Sequence, residues 1–161
     1  MRLAQIRDGA WDWHLSRPEW SLLAAIASMF PLVPPDYHQA TRDGLSGSVP
    51  IDPALLRESL AAHTAELRAR VRGWIQSVPS PSARKGVVLR LSSADLEHWL
   101  QVLNDVRVGS WIRLGCLDPA ALRGLELTSA NERHLFLMEF CGRVQARLLE
   151  ALDEPDDSST D

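Results

Sequence analysis

Between Trp99 and Gly115 the chain reads Trp99-Leu100-Gln101-Val102-Leu103-Asn104-Asp105-Val106-Arg107 and closes on Arg113-Leu114-Gly115. The spacing predicts one helix that is apolar on nearly every side. It nevertheless carries an amide, a carboxylate and two guanidiniums. Polar groups on an enclosed helix destabilise it unless each is paired. They therefore belong to a structural network or to a site. At 100° per residue Leu96, Leu100, Leu103, Arg107 and Leu114 share a face, with Asn104 on its flank. Asp105 points the other way, beside Val102, Val108 and Ile112. A helix with two apolar faces is either enclosed or keeps the second for a partner. A chain of 161 residues encloses few helices completely, so a self- or partner interface is expected on the Asp105 side. On the other face, Arg107 is expected to pack its stem in the core and to meet a carboxylate of Asp12, Glu132 or Glu139.

The remaining elements announce themselves by their ends. Residues 1–15 read as a β-hairpin: alternation on both sides of Asp8-Gly9, a favoured two-residue turn, with Trp11 and Trp13 on one face. Ser16-Arg17-Pro18-Glu19 is a capping box with proline in the first turn, and Pro31, Pro34 and Pro35 end the helix it opens. Residues 37–50 read as a surface loop. Asp52-Pro53 starts a second helix to about Val78, and Pro79-Ser80-Pro81-Ser82 stops it. Residues 86–91 form a short β-branched strand that completes a sheet with the hairpin, since a hairpin alone is marginal. Ser92 or Ser93 caps the 93–115 helix. Asp118-Pro119 opens a short turn. Thr128 or Ser129, with Glu132, caps a last helix carrying Leu137, Phe140, Cys141, Val144, Leu148 and Leu152. The expected fold is mainly α: a four-helix core with a small two- or three-stranded antiparallel sheet. Residues 1–153 are expected to form one globular domain, followed by a disordered acidic tail over 154–161.

Charge narrows the function classes. The net charge is −4, and the seventeen basic residues include a single lysine, Lys85. An acidic chain is a poor general binder of nucleic acid or anionic membrane. Arg68, Arg70 and Arg72 do not share a helix face and have Glu58 and Glu66 beside them, so they read as a solvated surface; a DNA-binding regulator using this run is the second reading. Cys116 and Cys141 sit in apolar helical context and imply no disulfide. No signal pattern or bilayer-length apolar run is present, so a cytoplasmic protein without membrane contact is expected. His63-x-x-Glu66 and Asp95-x-x-His98 each set an imidazole and a carboxylate on one face, but they lack the further glutamates of a di-iron bundle. No metal, cofactor or catalytic residue is assigned, and no enzymatic activity is expected.

The stretch from Arg90-Leu91-Ser92 through Trp99-Leu100 and Leu103-Asn104-Asp105-Val106-Arg107 to Arg113-Leu114-Gly115 resembles an uncharacterised bacterial family of actinobacteria and verrucomicrobia. Its members are often encoded beside ClpS, the adaptor that feeds substrates to the Clp protease. Glu19 and the last helix fit the family's pattern as well, while Val108-Gly109-Ser110-Trp111-Ile112 departs from it. The resemblance brings no activity; it implies a regulatory role in proteolysis, with ClpS or a Clp protease component as partner. The leading expectation is therefore a homodimeric or partner-binding module. Trp99, Asp105, Val108 and Ile112 are its candidate contacts, braced by Asn104, Arg107 and Arg113. A pocket near Arg107 for a small anionic ligand is the third reading.

Overall fold

The computed structural model describes residues 1–5, 10–35, 37, 52–78 and 86–153. The Asp8-Gly9 turn, the 37–50 loop beyond Tyr37 and the acidic tail lie outside the described residues. The expected mainly helical class with a small sheet holds. In chain order the elements are β1 (Arg2–Gln5), β2 (Trp11–Leu15), α1 (Arg17–Ala27), α2 (Pro53–Ser77), β3 (Val87–Leu91), α3 (Ser93–Arg113), α4 (Pro119–Arg123) and α5 (Ser129–Asp153).

The sheet is antiparallel in the order β1-β2-β3, with Leu3 opposite Trp13 and Trp13 opposite Leu89. Period-two alternation sends Trp11, Trp13, Leu15, Val87, Leu89 and Leu91 inward. On the outer face Asp12 and Arg90 are cross-strand partners and form a two-pronged ion pair, Nε to Oδ1 at 2.9 Å and Nη2 to Oδ2 at 3.2 Å. Asp12 is thus held by Arg90, not by Arg107.

Local chemistry sets the helix starts. The Ser16 hydroxyl accepts from the Glu19 amide while the Glu19 carboxylate accepts from the Ser16 amide; Ser92 and Asp95 repeat this box at α3. Glu19 also takes the α-amino group of Met1 at 2.6 Å, which fastens β1 to α1. At α5 the reciprocal pair is Thr128 with Asn131, rather than with Glu132 as the sequence suggested. Behind α3, Gly115 at φ +82° supplies the left-handed turn that ends the helix.

One buried cluster joins the sheet to α1, α2, α3 and α5. Its centre is Trp99, fully buried, which stacks on Trp74 of α2 at 4.9 Å and meets the edge of Trp13 at 5.5 Å and 83°. The core face of α3 is Leu96, Trp99, Val102, Leu103, Val106, Gly109 and Ser110. Arg107 is exposed, so it does not sit in the apolar stripe where the leucine spacing placed it. The reason is physical: a helix apolar all round gives periodicity no contrast with which to choose its inner face.

Antiparallel α3 and α5 form the back of the molecule. The Gln145 amide donates to the Leu100 carbonyl at one end, and Arg107 lies against Gly142 further along. Helix α2 is more loosely held. It buries only Leu67 and Val71 fully, and its polar ties to α3 are His63 with Gln101 at 3.1 Å and Arg70 with Asp95 at 3.3 Å.

Candidate functional site

The two flanks of α3 have different fates. On one flank the segment after α1 folds back over the helix. Here the Leu32 amide donates to Asp105 Oδ1 at 2.5 Å, with the Val33 amide at 3.4 Å from the same oxygen. One turn on, Gly109 makes room for that segment: a Cβ at this position would stand 2.7 Å from the Leu32 carbonyl carbon. Asp105 and Gly109 are four residues apart and so face the same way. The first satisfies the crossing backbone, and the second lets it approach. On the side expected from the sequence to meet a partner, Asp105 is thus engaged by the chain's own Leu32 and Val33, while Val108 and Ile112 stay half-exposed. Trp99, another candidate contact, is inside the core.

The other flank is open. Arg107, Val108 and Trp111 of α3 face Met138, Glu139, Gly142, Arg143 and Ala146 of α5 across a groove of about 600 Å³. Val108, Trp111, Met138 and Ala146 supply its apolar surface. Trp111 is fixed there because its indole N–H donates to the Leu117 carbonyl at 2.9 Å. Arg107 crosses from α3 with its Cδ 3.8 Å from where a Gly142 Cβ would be. Its guanidinium donates to Asn104 Oδ1 at 3.2 Å. Among the described residues no carboxylate forms an ion pair with it. Glu139, one of the three expected acids, is taken by Arg143 one turn along α5. Asn104 is neutral, so it orients the guanidinium without cancelling its charge.

Of the residues singled out by sequence, Arg107 and Val108 line the groove, and Asn104 reaches it only through its hydrogen bond with Arg107. Asp105 turns to Leu32, Trp99 goes to the core, and half-buried Ile112 and exposed Arg113 do not line the groove. The α5 wall was missed. Its signal was small residues, Gly142 and Ala146, on the face away from Leu137, Cys141, Val144 and Leu148.

Other groups at this back face are settled by burial. The Cys141 thiol is pushed up to about 12, chiefly because burial disfavours the thiolate, which leaves it an inert core group at neutral pH. His134 is shifted down, first by burial and then by Arg113 and Arg133. The arginine run on α2 is partly committed, because Arg70 pairs with Asp95 and Glu66. Among the described residues no group of three or more His, Cys, Asp or Glu is placed to hold a metal ion, and no helix is long and apolar enough to cross a membrane.

Fold and groove together define a class: a helical module, sheet-backed, with an open interhelical groove flanked by an arginine that has no acidic partner among the described residues. The family described as Domain of unknown function (DUF2017) matches residues 52–152, from the N-cap of α2 almost to the end of α5, and the chain belongs to it. The matched residues include both walls of the groove. No curated protein and no solved structure matches the chain.

Proposed function

We propose that the chain is a non-enzymatic regulatory module of the cytoplasm that binds another protein through the groove between α3 and α5. The observation that supports this best is the asymmetry of α3. On its Asp105 flank the chain's own backbone meets Asp105 and Gly109, whereas its Arg107 flank keeps Val108 and Trp111 half-exposed opposite Met138. Tryptophan and arginine are the side chains that most often anchor protein interfaces, and methionine adapts to varied partners. The sequence resemblance names the partners to try first: ClpS or a Clp component, beside a second copy of the chain.

Light scattering on the purified chain, alone and mixed with ClpS from the same source, tests the reading when run beside Ala146→Glu. Ala146 is exposed, so the substitution puts a charge into the groove without entering the core. A dimer or mixed complex that Ala146→Glu abolishes supports the groove as the docking surface. A complex that survives the substitution removes it.

A small anionic ligand is a second reading, favoured by the guanidinium of Arg107 having no acidic partner among the described residues. Melting temperature with a panel of carboxylates and phosphates reads it out, since a ligand that binds the folded state raises the midpoint. No shift across the panel removes it.

A further inference from the structure

The charge around the groove is opposite in sign to that of the whole chain. Two guanidiniums, Arg107 and Arg143, and one carboxylate, Glu139, line it, on a protein whose net charge is −4. Glu139 and Arg143 satisfy each other. That leaves Arg107, which has five N–H donors and one described acceptor, Asn104 Oδ1. The guanidinium therefore presents most of its donors, in a planar fork, beside an apolar floor. A carboxylate matches that fork, whereas an amide or hydroxyl does not use its charge.

The shape is that of a helix seat. On α5 the lining residues Met138, Gly142 and Ala146 succeed one another at i, i+4 and i+8, and the exposed Leu149 follows three residues on. From Met138 to Leu149 this strip runs roughly 16 Å along the helix axis. That is the length of about three helical turns, and the small residues at its middle let another backbone come close. An amphipathic helix laid along such a strip uses apolar side chains at i, i+3, i+4 and i+7 as anchors.

We infer that the groove seats an amphipathic helix of a partner protein that carries acidic residues beside its apolar stripe, with one carboxylate on Arg107. This rests on the groove being the docking surface. Charge complementarity selects the occupant: an acidic helix meets the locally basic groove, and a basic one meets Arg107 unfavourably.

The probe is a displayed library of amphipathic helical peptides about four turns long. Their apolar stripe is fixed, and Asp, Glu, Asn, Gln, Lys and Arg are varied on both flanks. It is selected against the full chain and counter-selected against Ala146→Glu. The expected binders are lost on Ala146→Glu and enriched in Asp or Glu on one flank. They weaken about tenfold or more on Arg107→Ala, are partly rescued by Arg107→Lys, and loosen with salt. Binders that need the open groove but show no acidic enrichment and ignore Arg107→Ala overturn the acidic partner and leave the groove standing. Binders indifferent to Ala146→Glu, or none that need the open groove, overturn both. A dimer of the chain that Ala146→Glu converts to monomer assigns the seat to a second copy and overturns the acidic partner.

Discussion

Asp105 and Gly109 show how single residues decide which face of α3 stays free. Asp105 accepts the Leu32 amide. Asp105→Ala strands that donor, so urea unfolding should show a loss of about 1–3 kcal/mol; Asp105→Asn keeps an acceptor and should lose less. Gly109 and Gly142 both sit inside helices, yet they should respond in opposite directions to alanine. At Gly109 the new methyl meets Leu32 at 2.7–2.8 Å, and overpacking of this kind costs about 1–3 kcal/mol. At Gly142 it meets Arg107 Cδ at an ordinary 3.8 Å, and alanine's higher helix propensity should leave stability unchanged or raised by up to about 1 kcal/mol. Equal losses at the two glycines would contradict the packing described. None of these pairings was legible in the sequence. Leu32 lies more than seventy residues from Asp105, and no local pattern ties them. Arg107 was misplaced for a related reason: four leucines shared its face, but the core took only Leu96 and Leu103 of them and turned towards Trp99, Val102 and Val106.

Elements were far more legible, because their ends are local chemistry. The Ser16–Glu19 box, the Ser92 cap, the prolines after Ser16, Asp52 and Asp118, the alternation in β2 and the β-branched run of β3 each depend on neighbours within a few residues. Glu19 joins two elements, capping α1 and holding β1 through Met1. The Met1 α-amino group, the Ser16 amide and the Ser16 hydroxyl hold its carboxyl at about 2, below its ordinary 4.5. A carboxyl depressed on folding stabilises the fold above its unfolded pKa, and that contribution is lost as pH falls towards the folded value. Stability should therefore decline between about pH 4.5 and 2, and Glu19→Gln should flatten this part of the profile in denaturant titrations at stepped pH. An unchanged profile in Glu19→Gln would show that other carboxylates set the acid limit. The α3–α5 groove is also an element-scale feature, and it escaped sequence reading because its walls come from helices separated by α4.

For the whole molecule, the extent of the family match raises a question about the folding unit. Residues 52–152 match the family, yet β3 within that span takes its ladder partner from β2 outside it. Trp99, at the centre of the core, likewise meets Trp13 of β2. A fragment of residues 52–153 should therefore lose the cooperative thermal transition of the full chain, as followed by circular dichroism; a sharp melt of the fragment would show that the hairpin and α1 are dispensable. If the whole chain is needed, the hairpin and α1 serve the groove indirectly, by holding α3 with its Arg107 flank outward. Hydroxyl-radical footprinting with and without a bound groove-selected peptide tests that arrangement most directly. In the free protein Trp111 and Met138 should be oxidised while Trp99 is spared, and the peptide should protect Trp111 and Met138. Protection that falls elsewhere, with Trp111 and Met138 unchanged, would contradict the groove as the working surface of this fold.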